Sequence, residues 1–278
     1  MKNTLLPILV ISLFISCKSN TKQPAQDSLT VAQTQVDAKT IIEKFGPIVQ
    51  GVWVKSDYVD KVIKTRSPLA AMDEANGATT FYINTAKIKG DSIKLMVGWG
   101  NHDGSELTIK FKYGSNSSRI LFGAGELGYS IKNSDTILTT YWPDEKSKQI
   151  ITTNYKRALH KQPDEHLGYG LDYIINKGLI AGNYLFTDST GATSRVNFEA
   201  DGEVSGFYKF TKYGINIDLN SDAMDNLDEI GFDFDSKNHK SYSFKFDADT
   251  LKLYDTKPNA DSSELVLDKL RYKLVRVK

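Results

Sequence analysis

The sequence predicts an all-β protein built as two tandem antiparallel meander β-barrels, each preceded by a short helix. Two observations predict this fold class. Short runs of alternating apolar and polar residues recur along the chain, with Asp103-Gly104 and Asp201-Gly202 among the pairs between them, and Asp-Gly in that position is a strong hairpin signal. The 14 tyrosines and 13 phenylalanines belong to residue types that are enriched in strands.

Residues 1–16 have the features of a secretory signal peptide. Lys2 supplies a positive charge, residues 5–15 form an apolar stretch, and Ser16 is a small residue before the expected cleavage site. This is the pattern of a cleaved signal peptide. A transmembrane helix needs about 20 apolar residues, which is more than this stretch contains. We therefore expect residues 1–16 to be removed.

Cys17 is the only cysteine of the chain and directly follows Leu13-Phe14-Ile15-Ser16. This stretch resembles a bacterial lipobox, in which the cysteine is acylated and becomes the new amino terminus. The resemblance implies a membrane anchor of palmitate-type acyl chains at Cys17. The alternative is an ordinary cleaved signal with an incidental cysteine. With one cysteine, the exported chain has no disulfide framework.

Residues 17–39 are predicted to form a lipidated flexible tether. The segment is polar, contains Pro24 and lacks aromatic residues, so it buries too little apolar surface to offset its ordering entropy. Surface-directed lipoproteins of the Bacteroidetes carry acidic residues after the cysteine, whereas Lys18-Ser19-Asn20-Thr21-Lys22 follows here. Among lipoproteins of that type, this difference favours an outer-membrane anchor that faces the periplasm.

An internal repeat predicts two domains. Residues 41–53 and 172–184 each read as a short apolar helix, a break and Gly-x-aromatic. We expect a first barrel over 40–160, a linker over 161–170 that contains Pro163, and a second barrel over 171–278. The alternative is that unrelated β segments share such fragments by chance, since the identity between the halves is low.

Each half contains six to eight predicted strands, and a meander of that length whose ends meet suggests a closed barrel. In the first half, alternation predicts strands at 79–83, 92–97, 107–112, 119–122, 136–141 and 152–157. In the second half, it predicts strands at 194–198, 204–210, 214–219, 229–234, 241–246, 251–254 and 270–277.

Gly51-Val52-Trp53, placed after a short helix, resembles the Gly-x-Trp start of lipocalin-type barrels. In that family the tryptophan closes one barrel end, and a basic residue of the last strand packs across it. The resemblance implies that Arg157 covers Trp53. In the second half Tyr184 replaces the tryptophan, and Arg271 or Lys273 is the expected cation.

The resemblance also implies a function, because lipocalin-like barrels often bind small apolar ligands in the lumen. The first hypothesis is therefore an envelope lipoprotein that holds a small hydrophobic ligand or lipid in a barrel cavity. The alternative is a non-enzymatic module with filled barrels that contacts a protein or a glycan. Trp99 and Trp142 lie near predicted loops and either plug a barrel end or contact such a partner. The formal charge of +1 argues against a nucleic-acid partner.

Two motif-like segments lack the context of a binding site. Gly123-Ala124-Gly125-Glu126-Leu127-Gly128 matches Gly-x-Gly-x-x-Gly, but no helix start follows, as a dinucleotide site requires. These glycines predict bends or bulges instead. Asp218-x-Asn220-x-Asp222 with Glu229 imitates a calcium loop, yet Ala223 occupies the position that needs glycine. A solvated acidic loop is the better interpretation.

No residue pattern predicts catalysis. The chain has no Gly-x-Ser-x-Gly nucleophile elbow, and acylation of Cys17 leaves no free thiol. The histidines at positions 102, 160, 166 and 239 lack metal-ligand spacing. We therefore expect no enzymatic activity, cofactor or metal, and the ligand-binding residues stay unassigned.

Overall fold

Sixteen strands, three α-helices and two short 3₁₀ helices form the part of the chain that the computed structural model describes, namely residues 37–163, 166–218, 224–234 and 236–277. The predicted antiparallel β character is confirmed. Residues 1–36 lie outside this part, and with them the signal peptide, Cys17 and most of the tether. None of the helices within it is long and apolar enough to cross a bilayer.

The first half forms a closed antiparallel barrel, as predicted. Its strands are β1 (Gly51–Lys55), β2 (Ala78–Ile83), β3 (Ser92–Trp99), β4 (Asp103–Tyr113), β5 (Arg119–Phe122), β6 (Gly125–Lys132), β7 (Asp135–Pro143) and β8 (Ile150–Leu159). Each strand pairs with the next along the chain, and β1 pairs with β8 to close the ring. Strand β6 was not predicted because its glycines interrupt the apolar alternation. Glycine is needed at position 125, since a Cβ there would lie 2.4 Å from the Tyr141 carbonyl oxygen.

Helix α1 (Ala38–Val49) packs its apolar face against the inward-facing residues of this barrel. Ile41, Phe45 and Val49 recur at helical spacing and are buried together with those residues, which is the pattern of an amphipathic helix. Phe45 meets the Tyr129 ring edge-on, with centroids 5.6 Å apart. The Asp37 side chain caps the helix by accepting from the Lys39 backbone N–H at 3.3 Å.

An insertion between β1 and β2 forms helix α2 (Ser56–Thr65) and the 3₁₀ helix Leu69–Ala75. Tyr58, Val59 and Val62 are buried on one face of α2, and they belong to the apolar core of the second half. A helix of ten residues is marginal by itself in water. Its stability therefore depends on this contact with the other half.

The second half is an eight-stranded antiparallel sheet. Its strands are β9 (Gly182–Thr187), β10 (Thr193–Phe198), β11 (Val204–Ser205), β12 (Tyr213–Ile215), β13 (Glu229–Phe232), β14 (Lys240–Asp247), β15 (Thr250–Pro258) and β16 (Leu265–Arg276), in the order β11-β10-β9-β16-β15-β14-β13-β12. No strand ladder closes it within the described residues.

The edges of this sheet, β11 and β12, are joined by an isolated bridge between Glu203 and Lys212. The strand predicted over Val204 to Phe210 is short because the chain turns at Gly206, with φ of 76°, and buries Phe207 completely. The predicted second barrel is thus confirmed only as far as its antiparallel sheet.

Helix α3 (Tyr169–Leu179) precedes β9, and its start lies inside the predicted linker over 161–170. Leu171, Ile175 and Leu179 enter the core of the second half. On its other side Gly170 touches the first barrel so closely that a Cβ there would lie 2.1 Å from Val52 Cγ1. The two halves therefore pack directly on each other, and the described residues belong to one compact unit.

Candidate binding cleft

The expected contact between Trp53 and Arg157 is present at one end of the first barrel. The two residues are cross-strand partners, and the Arg157 guanidinium carbon lies 4.6 Å from the centroid of the buried Trp53 ring. The Trp53 indole N–H donates to the Val49 carbonyl at 2.7 Å, and Arg157 donates to the Ile48 carbonyl at 2.6 Å. These contacts tie the end of α1 to β1 and β8 and are structural.

The second half repeats this arrangement with other residues. The Tyr184 hydroxyl donates to the Ile180 carbonyl at 2.7 Å, and the Arg276 guanidinium carbon lies 5.2 Å from the Tyr184 ring centroid. The expectation that Arg271 or Lys273 supplies the cation is wrong. β16 continues to Arg276 and pairs that residue with Tyr184, so the register places Arg276 across the ring.

The glycines that open β1 and β9 also match. Gly51 and Gly182 have φ of 133° and 143°, values that residues with a Cβ rarely adopt. A Cβ at Gly51 would lie 2.8 Å from the Leu159 carbonyl oxygen. The helix-to-strand junction is therefore the same in both halves, as the sequence repeat predicts.

The interior of the first barrel is filled by its own side chains. Phe81 packs against Phe122 and Tyr155, with ring centroids 5.5 and 4.8 Å apart. All three are almost fully buried, and the Tyr155 hydroxyl donates to the Ala78 carbonyl at 3.0 Å. This packing agrees with the general finding that eight strands enclose a space just wide enough for side chains.

Trp99 and Trp142 lie against this filled interior. Their ring centroids are 6.3 Å apart, and the Trp142 ring lies 5.4 Å from that of Phe122. The Trp99 indole N–H donates to the Ser105 hydroxyl at 2.7 Å. Both rings are half-buried, and these contacts match the interpretation that they plug a barrel end.

Aromatic residues also fill the core of the second half. Phe207 is fully buried and contacts Phe198, Phe232 and Phe186, with ring centroids 5.3 to 6.4 Å apart. Among the described residues, the inward faces of both halves are therefore occupied by protein. A ligand site has to be sought on the surfaces between them.

A cleft of about 610 Å³ lies between the two halves. Binding sites for small molecules commonly have volumes of about 300–1,000 Å³ and lie at domain interfaces. One wall comes from β2 and the turn after β3, and the other from α3 and the residues around β12. Asn101 bridges the walls by donating to the Ile217 carbonyl at 3.1 Å, and the His102 imidazole contacts the Asp218 carboxylate.

Asp172, in the first turn of α3, is a cleft-lining carboxyl group with a shifted pKa. Burial raises the pKa of Asp172 to about 6, and the nearby His166 opposes the shift. Across the cleft, Thr80 is only 3% exposed, and its methyl group lies beside Gly98, where a Cβ would come within 2.9 Å of it. A desolvated carboxyl in a cleft marks a place where a polar ligand group would be stabilised.

Apolar side chains complete the cleft. Leu167, Leu171, Ile215, Ile217 and Phe234 line it together with the polar groups. An apolar surface with a few polar groups is typical of a small-molecule site.

The residues singled out in the sequence are distributed as follows. His102 and His166 line the cleft, as do Asp218 and Glu229 from the segment that imitates a calcium loop. Asn220, Asp222 and Ala223 lie outside the described residues. Gly123 forms the turn between β5 and β6 with φ of 55°, and β6 rather than a helix follows it, as expected for glycines at bends.

The sequence offered no signal for the cleft itself. Its lining residues come from several segments separated by up to about 150 positions, and none of them forms a local motif. Within the described residues, no group of three histidine, cysteine or acidic side chains is arranged to hold a metal ion.

A second groove, of about 700 Å³, lies on the outer wall of the first barrel. Its described lining includes three aspartates, at positions 57, 60 and 135, and three basic side chains, Lys132, Lys156 and Arg157. Lys156 forms an ion pair with Asp60. Because these charges compensate one another, this groove selects less strongly for a charged ligand than the cleft does.

No family model, curated protein or solved structure matches this chain. The assignment of a site therefore depends on the geometry of the chain itself.

Proposed function

We propose that this protein is a membrane-anchored lipoprotein of the cell envelope that binds a small molecule, without catalysis, in the cleft between its two halves. One observation carries the binding proposal: the cleft of about 610 Å³ combines apolar walls with the partly buried Asp172 carboxyl. The anchor rests on Cys17 and the signal-like segment before it.

The proposal places the ligand outside the barrel lumen, in contrast to the lipocalin resemblance. The aromatic packing around Phe81 and Phe207 fills the two interiors, so an apolar ligand there would have to displace well-packed side chains. Such overpacking typically costs about 1–3 kcal/mol. The interface between the halves provides space without that cost.

We also propose that the second half is a lipocalin-like barrel whose seam lies between β11 and β12. The bridge between Glu203 and Lys212 and the hydrogen bond from Val204 N–H to the Thr211 carbonyl, 2.9 Å long, support this. The shared junction geometry of Gly51 and Gly182 supports an origin of the two halves by duplication.

Native mass spectrometry of protein purified from its own envelope tests the binding proposal. Ile217→Trp narrows the cleft, and Ile151→Trp, at a strand residue of the first barrel that is 51% exposed, is the matched control. We expect a small molecule to accompany the wild type and Ile151→Trp and to be lost from Ile217→Trp. Equal occupancy in all three proteins, or none in the wild type, would contradict the proposal.

A second candidate function is contact with a glycan or a protein through an aromatic surface. Tyr208 is 58% exposed at φ of 52°, and its ring lies 5.4 Å from those of both Phe186 and Tyr272. Exposed aromatic rings of this kind stack on sugars or anchor interfaces. Loss of binding on a glycan array for Tyr208→Ala would support this function, and no binding by the wild type would count against it.

A further inference from the structure

The described lining of the cleft has a one-sided charge. It contains four carboxylates, from Asp103, Asp172, Asp218 and Glu229, together with His102 and His166, and no lysine or arginine. Even with both histidines protonated, two negative charges remain in excess. Low-dielectric walls concentrate such a field and favour a cationic ligand over a neutral or anionic one.

Asp172 is the carboxylate best placed to recognise a cation. It is partly buried at the start of α3, where burial raises its pKa and the nearby His166 opposes that shift. Although burial raises its pKa to about 6, the group is ionised at pH 7.5, where an alkyl ammonium group is protonated. A ligand ammonium group would compensate a charge that the protein keeps partly desolvated.

The shape of the remaining surface limits the cation. An ammonium group has three N–H donors, and the exposed Asp103 carboxylate offers acceptors on the wall opposite Asp172. Leu167, Ile217 and Phe234 offer apolar surface without hydrogen-bonding groups.

We infer that the cleft binds a small primary amine with an apolar body, its ammonium group at the Asp172 carboxylate and its body on Leu167, Ile217 and Phe234. This inference rests on the cleft being the binding site proposed above. Alcohols and carboxylic acids of the same length are disfavoured, the first for lack of charge and the second by repulsion.

Isothermal titration calorimetry at pH 7.5 with octylamine, octanol and octanoate tests the charge preference, because the three probes share one chain length. We expect octylamine to bind the wild type most tightly. Asp172→Asn should weaken octylamine binding at least tenfold, as loss of a charge-assisted hydrogen bond does. Asp91→Asn, at an exposed carboxylate before β3, should change it less than twofold.

The outcomes separate the two proposals. Equal or tighter binding of octanol or octanoate, abolished by Ile217→Trp, would overturn the amine preference and leave the cleft as a binding site. Octylamine binding that survives Asp172→Asn would overturn the role of Asp172. If none of the probes binds but native mass spectrometry shows a ligand that Ile217→Trp removes, the amine inference alone fails. If neither experiment detects a ligand in the cleft, both proposals fail. Circular dichroism confirms that each variant is folded.

Discussion

Replacement of Asp172 by asparagine should stabilise the folded protein at neutral pH. Burial raises the pKa of this carboxyl to about 6 from an ordinary value of 3.8, so the folded state binds the proton more tightly than the unfolded state. The stability that protonation contributes is complete below pH 3.8 and is lost as the pH rises to about 6. Asparagine carries no charge and avoids this loss.

The two pKa values set the size of the effect. A difference of one pKa unit corresponds to about 1.36 kcal/mol, so values of about 6 and 3.8 give an upper value of about 3 kcal/mol. Water in the cleft screens part of this, and a carboxylate in the first turn of α3 gains about 0.3–1 kcal/mol from the helix dipole. We expect a net gain of about 1–2 kcal/mol for Asp172→Asn at pH 7.5, or about 2–8 °C in Tm.

Thermal unfolding followed by circular dichroism at pH 4.0, 5.0, 6.0 and 7.5 measures this effect. The difference between Asp172→Asn and the wild type should be near zero at pH 4.0 and should grow to its full value by pH 7.5. Asp91→Asn controls for the loss of a surface charge. A variant that is less stable than the wild type by the same amount at every pH would refute the reasoning, because Asp172 would then act through a pH-independent contact.

Two further predictions concern the barrel end and the anchor. Arg157→Met should lower the free energy of unfolding by about 1–3 kcal/mol in urea titrations, because it removes the cation–π contact with Trp53 and the hydrogen bond to Ile48. Arg157→Lys keeps the charge and should lower the free energy of unfolding by less than Arg157→Met does. Equal decreases for the two variants would show that the guanidinium geometry is unimportant. Cys17→Ser should move the protein from the membrane fraction to the soluble fraction, and unchanged partitioning would exclude lipidation at this residue.

The outcome that Asp172→Asn is both more stable and a weaker binder would have a clear meaning. Residues kept at a cost in stability tend to serve a function. Thermal unfolding measures the stability and calorimetry measures octylamine binding, so the gain in stability and the loss of binding can each be refuted separately.

The first half was predictable because its signals are local. Alternation predicted six of its eight strands, and the resemblance of its Gly-x-Trp start to lipocalin-type barrels implied the contact between Trp53 and Arg157. Helix α2 was missed, since its apolar face is buried by the second half, a partner distant in sequence. Arg271 or Lys273, rather than Arg276, was expected to pack on Tyr184. The residue that faces Tyr184 depends on the register between β16 and β9, and therefore on where β16 ends.

The sequence by itself determined the antiparallel strand rhythm, the repeated helix-to-strand junction and the prediction of an anchor at Cys17. These depend on neighbours along the chain, namely on the period-two pattern of strands and on short motifs. Tertiary structure decided which half closes, what fills the interiors and where the cleft lies. Those properties depend on packing between distant residues such as Thr80 and Asp172, and no local pattern records which distant surfaces meet.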